Sequence, residues 1–467
     1  MPNKLSACTS ILIGKKASID GSIMIGRNED AKAAWPKHMV VHPHGAVPRK
    51  FVSKETKLEI ELPDDSARYS ATPEWTDKYG LFEEDGINEY NVAMSATESA
   101  YSNSLVLGAD PLVKNGLNEE AMVTVVLPFV KTAREGVLRL GNLIAKYGTG
   151  ETNGVLFADD NEAWYFESGA GHYWVAQRIP DDCYAVVANQ LAIQEIDFND
   201  PNNFMFHPGI REFVEKNHLN PDPTTFNFRK IFGTADQSDA IYSEPRVWIG
   251  HQMFSSHQAK GETPESTELP FLMKPDRLLS VIDVQNYLSN HYEGTGFDPL
   301  TNSPSAHKYR PISLAKTQES HILQTGRKGP DIHWLAMGVA NESTYVPFFN
   351  GITKLPAAYG RGKLPAQLNS AYWIFKHASV LVDSHLHDFL PLLRDVQKER
   401  NAAAQKLIRE TDTKAAALQG DALTDYLNDQ SDKFANDTLT AYRNLAMELI
   451  TKMTDYCELN FKTDENL

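Results

Sequence analysis

The chain has 467 residues, 42% hydrophobic and 23% charged, so it can bury a large core and is not globally disordered. Its formal net charge of -16 argues against nucleic acid as the main partner, since phosphate binding needs a basic face, and fits the solubility of a cytosolic protein. Three cysteines (Cys8, Cys183, Cys457) make no disulfide framework, no signal-type segment opens the chain, and no apolar run approaches the ~18 residues that span a bilayer, so a cytoplasmic protein with no membrane partner is expected.

Residues 1–7, Met-Pro-Asn-Lys-Leu-Ser-Ala, are short and mostly polar, an overhang or a removable leader. Apolar runs Ile11–Ile13 and Ile23–Ile25 flank a polar turn with Asp20-Gly21 and predict a β-hairpin. Strand texture continues at Met39–Val41, Leu58–Leu62 and Ile87–Ser95. Two helices follow. Asn118 is the expected N-cap of the first, ahead of Met122–Val130, and Thr132-Ala-Arg-Glu135 has the capping-box pattern ahead of Val137–Ile144. Val155–Ala158, Ala163–Glu167, Tyr173–Gln177 and Tyr184–Asn189 read as four successive strands. Residues 199–235 alternate helical and irregular texture, and 256–276 form a loop. Strands return at Ser320–Gln324, Asp331–Gly338 and Ser343–Val346. From about residue 370 the pattern is helical, in segments near 376–411 and 422–459 separated at Gly420. Two runs of strands divided by a helix pair predict a layered α+β core.

The common catalytic motifs are missing: there is no His-Glu-x-x-His, Cys-x-x-Cys or Gly-x-Ser-x-Gly. His42-Pro-His44 and His385-Leu-His387 lack partners at zinc-site spacing. Gly148–Gly154 precedes a strand and so reads as a helix terminator rather than a phosphate loop. Cys8 stands apart. The hairpin joins its outer ends, bringing Cys8 to Arg27-Asn28-Glu29-Asp30, and a nearby cation favours a thiolate.

Cys8-Thr9 with Gly26-Arg27-Asn28-x-Asp30 resembles the opening of the N-terminal nucleophile hydrolases of the choloylglycine-hydrolase and penicillin-acylase-like group, and more closely the C69 dipeptidases. Further landmarks of that family are Gly86–Glu98, Gly171–Asp182 running on to Val186–Gln190, Tyr242-Ser-Glu-Pro-Arg246-Val-Trp248, and Trp334–Gly338 with Tyr345-Val-Pro347. The resemblance implies a four-layer αββα sandwich over residues 8–365, with a helical C-terminal extension over 366–467. It also implies a mature N-terminal Cys8 whose own α-amine is the base. Such an amine has an unperturbed pKa of roughly 7.7–8.0, suited to proton transfer near neutral pH.

By the same resemblance, Arg27 stabilises the thiolate, Asp30 holds the α-amine, Asn189 donates to the oxyanion, and Arg246 completes the polar network. A backbone N–H near Thr97 or Glu98 is the second oxyanion donor. The implied substrates are dipeptides, with Glu98 and Glu167 as candidates for their amine, no metal or organic cofactor, and possible homo-oligomerisation. Because Cys8 follows seven residues, residues 1–7 are expected to be a propeptide removed autocatalytically. Two other readings keep this fold: an amidase acting on bile-salt or penicillin-type amides, and a non-catalytic scaffold.

Overall fold

The computed structural model describes residues 8–97, 100–237 and 239–456. Its centre is two six-stranded sheets. The first runs, in spatial order, Tyr184–Val187, Thr9–Ile13, Ile23–Asp30, Thr317–Thr325, Ile332–Met337 and Val346–Phe349. The second runs Phe204–Phe206, Trp174–Ile179, Ala163–Ser168, Gly154–Ala158, Ala93–Thr97 and Asp85–Ile87. Every pairing in both is antiparallel.

Side-chain alternation sorts the hydrophobic residues into three packed layers. Leu12, Ile23, Ile25 and Leu323 face the second sheet and pack with Leu156, Tyr165 and Val175. Their neighbours Ile11, Ile13, Met24 and Ile322 face outward and pack with residues of helices Glu244–Phe254, Val281–Leu288, Ala371–Ser384 and Gly420–Met453. On the far side, Val155, Phe157 and Phe166 pack under Glu119–Val126 and Ala133–Tyr147. Burial on both faces explains why these strands read as continuous apolar runs. The architecture is the expected α+β, four-layer αββα sandwich with C-terminal helices. No described helix is long and apolar enough to cross a membrane.

Several boundaries differ from expectation. Ile87–Ser95 is not one strand: Asp85–Ile87 and Ala93–Thr97 form a hairpin. Asn91 takes the left-handed conformation at φ 62°, and the Asn88 side chain accepts from the N–H groups of Tyr90 and Val92, so two asparagines make a turn where the alternation looked unbroken. The strand expected at Ser343–Val346 begins at Val346, after a short 3₁₀ turn at Ala340–Glu342. Val40–His42 and Glu59–Glu61 pair in separate two-stranded ribbons outside the main sheets. The helix expected near 376–411 is two, Ala371–Ser384 and Leu386–Ala415. Thr132 caps its helix as expected, its hydroxyl accepting from the Glu135 N–H at 3.1 Å. Asn118 occupies the N-cap position of the preceding helix without capping it through its side chain. The Glu151 carboxylate accepts from the Glu119 N–H at 2.9 Å instead, leaving Asn118 Oδ1 to accept from Gly150.

Candidate active site

The hairpin pairs Thr9 with Asn28 and Ser10 with Arg27, so its open end carries Cys8 beside the end of the second strand, as expected. Arg27 is in turn paired with His321 on the next strand. Cys8, Arg27 and His321 therefore continue the inter-sheet face of Leu12, Ile25 and Leu323. At this end of the layer, charge replaces hydrocarbon.

Cys8 is 4% exposed. Arg27 Nη1 donates to its sulfur at 3.4 Å, Nε donates to Ser95 Oγ at 3.0 Å, and Nη2 is bound by Glu84. Glu119 Oε1 stands 3.6 Å from Nη1. Lys37 pairs with Glu29 at 2.9 Å and lies 3.9 Å from Glu84. Burial pushes the Cys8 thiol above its ordinary range, outweighing the opposing pull of Arg27. Arg27 pulls in the direction expected of a neighbouring cation, and desolvation outweighs it.

Sequence reasoning missed the group behind Arg27. His321 Nδ1 lies 2.9 Å from Glu319 Oε1 and 3.0 Å from Asp85 Oδ2, and its Nε2 lies 3.0 Å from Ser95 Oγ. Burial lowers the His321 pKa, but the two carboxylates raise it further, to about 9. Asp85, Glu319 and His321 have metal-ligand spacing. Asp85 and Glu319 both favour the imidazolium form of His321, whose proton would place a positive charge between the two carboxylates. Glu319 and His321 share one strand, but Asp85 and Ser95 come from strands far earlier in the chain, so no local spacing announced the group as a whole.

The other side of Cys8 is built on its backbone. Arg246, on helix Glu244–Phe254, is fully buried; it donates from Nη1 to the Cys8 carbonyl at 2.5 Å and to Thr9 Oγ1 at 3.0 Å, and from Nη2 to Asn189 Oδ1 at 2.7 Å. Burial brings the Arg246 pKa down to about 10. Asn189 follows the strand Tyr184–Val187, is 1% exposed, and its Nδ2 has no hydrogen-bond partner among the described residues. Asp30 accepts from Arg310 Nη2 at 2.5 Å and from the Thr317 hydroxyl, and its backbone N–H reaches the Cys8 sulfur. The five predicted residues thus gather around one strand end. Arg310, also unpredicted, joins them and lies 5.5 Å from the Tyr242 ring centroid.

Glu167 belongs elsewhere: its carboxylate accepts from the N–H groups of Ala192 and Ile193 at 2.6 and 3.1 Å and staples the loop that follows Asn189. Burial pushes its pKa up to about 8. Glu98 and residues 1–7 lie outside the described residues, as does Cys457. Cys183 is buried just before its strand.

The model of Peptidase family C69 matches residues 7–399. A probable dipeptidase of Latilactobacillus sakei is 46% identical over 99% of this chain and 99% of its own. Probable dipeptidase B of Lactococcus lactis subsp. lactis (strain IL1403) is 38% identical over 97% of each chain, and dipeptidase A of Lactobacillus helveticus 36% over 97% of each. With the hairpin, the buried Cys8–Arg27 contact and these matches along nearly the whole length, the chain belongs to peptidase family C69.

Proposed function

We propose that this protein is a cysteine-type dipeptidase in which Cys8, freed of residues 1–7, is both nucleophile and base. The observation that carries the reading is the Asn189 amide. Its Oδ1 is held by Arg246, which also grips the Cys8 carbonyl, and its Nδ2 is buried without a partner among the described residues. An idle buried donor costs ~1–3 kcal/mol, which an oxyanion would recover.

The state of the thiol supports a base on Cys8 itself. Burial raises the pKa of the Cys8 thiol despite Arg27, which favours a mechanism with a proton acceptor beside it. His321 does not serve, since its Nδ1 lies between two carboxylates and its Nε2 faces Ser95. An α-amine at Cys8 is suited to the task. In processing, the Cys8 sulfur attacks the Ala7 carbonyl, the Ala7–Cys8 C–N bond breaks, and the nitrogen takes the thiol proton. Water then hydrolyses the thioester, releasing residues 1–7. In turnover, the α-amine takes the thiol proton and the thiolate attacks the scissile carbonyl. The oxyanion rests on Asn189 Nδ2, the ammonium protonates the leaving amine, and water cleaves the thioester.

N-terminal sequencing with a dipeptide panel tests this, run beside bile-salt and penicillin amides. The expected result is a chain beginning at Cys8, active on dipeptides, with activity abolished in Cys8→Ala. Full activity in a chain that retains Met1 or Pro2, or equal amino-acid release by Cys8→Ala, would overturn it.

A further inference from the structure

A dipeptide is a short ruler. Its ammonium nitrogen lies two bonds, about 2.5 Å, from the scissile carbonyl carbon. An attacking sulfur stands roughly 3–3.5 Å from that carbon. A carboxylate that receives the ammonium must therefore adjoin Cys8.

Of the buried carboxylates in this region, most are already engaged. Asp30 is held by Arg310 and Thr317. Glu84 is bound to Arg27 and faces Lys37, and Glu29 pairs with Lys37. Glu167 is consumed by the backbone N–H groups of Ala192 and Ile193. Glu119 differs. Its oxygens make one loose ion pair, 3.6 Å to Arg27 Nη1, and accept no hydrogen bond among the described residues. That same Nη1 is 3.4 Å from the Cys8 sulfur, so Glu119 is two contacts from the nucleophile.

Glu119 is also held in place without using its carboxylate. It occupies the first turn of Glu119–Val126, where the Glu151 carboxylate accepts from its backbone N–H. The residue is 9% exposed, so a small ligand's charge can meet it with little water between. Burial, Glu84 and Cys8 all push its carboxyl well above the ordinary range, the condition of an acid short of a cation.

We propose that Glu119 receives the α-ammonium of the dipeptide substrate and is the residue that selects substrates with a free N-terminus. This rests on the reading of Cys8 as nucleophile. An arriving ammonium would give the Glu119 carboxylate the close partner that Arg27, shared among Glu84, Ser95 and the thiol, does not provide.

The test compares alanyl-alanine with propionyl-alanine, which is the same molecule without the α-amine, using enzyme of verified N-terminus. Wild type should prefer alanyl-alanine by at least about 100-fold in kcat/KM, as sites built around a substrate N–H do. Glu119→Gln should bring that ratio towards one, mainly by raising KM for alanyl-alanine. Glu119→Asp keeps the charge but withdraws it by one methylene, and should give an intermediate ratio. A wild-type ratio in either variant overturns the proposal, and Glu119→Asp carries the test should Glu119→Gln fail to fold. Activity surviving in Cys8→Ala would instead overturn the nucleophile reading on which the proposal rests, so the two failures are distinguishable.

Discussion

Arg246 and Asn189 are joined by one buried hydrogen bond, Nη2 to Oδ1 at 2.7 Å, and that bond decides which way the Asn189 amide faces. A guanidinium can only donate, so the amide oxygen must turn to it and the NH₂ must turn away. Removing the donor with Asn189→Ala should lower kcat about 10²–10³-fold while KM changes little. Arg246→Lys should also lower kcat, because one ammonium cannot span the Tyr242, Cys8, Thr9 and Asn189 oxygens that the guanidinium reaches. Steady-state kinetics on one dipeptide checks both. Unchanged kcat in Asn189→Ala would remove the amide from the reaction.

Glu167 acts on the same amide from behind. By accepting from the Ala192 and Ile193 N–H groups it fixes the loop immediately after Asn189. Glu167→Ala frees that loop, and small displacements of a catalytic group can cost up to about 100-fold in rate. The expected signature is a fall in kcat with KM held. A rise in KM with kcat held would mean that Glu167 binds the substrate amine after all.

The parts of the site that were legible in the sequence are those joined by short-range geometry. Cys8, Arg27 and Asp30 belong to one hairpin, whose two strands are legible as the apolar runs Ile11–Ile13 and Ile23–Ile25 on either side of a short polar connection. Asn189 and Arg246 came from family landmarks; no spacing between residues 189 and 246 implies that they touch. The buried group around His321 was invisible because it is assembled across sheets: Asp85 and Ser95 come from one, and Glu319 and His321 from the other. Glu119 follows the N-cap residue Asn118 and belongs to no catalytic motif. Its place beside Arg27 depends on how the helix lies over the second sheet, which no periodicity encodes.

That helix layer itself makes a prediction. Ala133–Tyr147 lies close to the second sheet, and a Cβ on Gly141 would stand 2.2 Å from Trp174 Cζ2. The ring cannot easily yield, because it stacks on Phe166 with centroids 5.2 Å apart. Gly141→Ala should therefore lower stability by about 1–3 kcal/mol, although alanine in an open helix position gains about 0.5–1. Gly108→Ala, where the added Cβ meets nothing within 4 Å, is the control and should be neutral or mildly stabilising. Thermal or urea unfolding of the two variants separates packing from propensity.

The His321 proton should be visible in the pH dependence of stability. Burial lowers the affinity of His321 for its proton, but Asp85 and Glu319 more than reverse this and push the pKa up to about 9, against about 6.5 in an unfolded chain. The folded state thus binds this proton more tightly than the unfolded state. Its stabilising effect is fully present below about pH 6.5 and is lost as pH rises through 9, an effect of about 3 kcal/mol counted once for the ion-paired group. His321→Gln removes the cation and leaves Asp85 and Glu319 facing one another, so at pH 6 it should be markedly less stable than wild type. The gap between the two should narrow as pH rises from 6.5 to 9, where wild type loses the same charge. Urea midpoints at pH 6, 7, 8 and 9 measure it. A gap that stays constant across that range would mean that His321 is neutral in the folded protein, and that a hydrogen bond rather than an imidazolium holds Asp85 and Glu319 together behind Arg27.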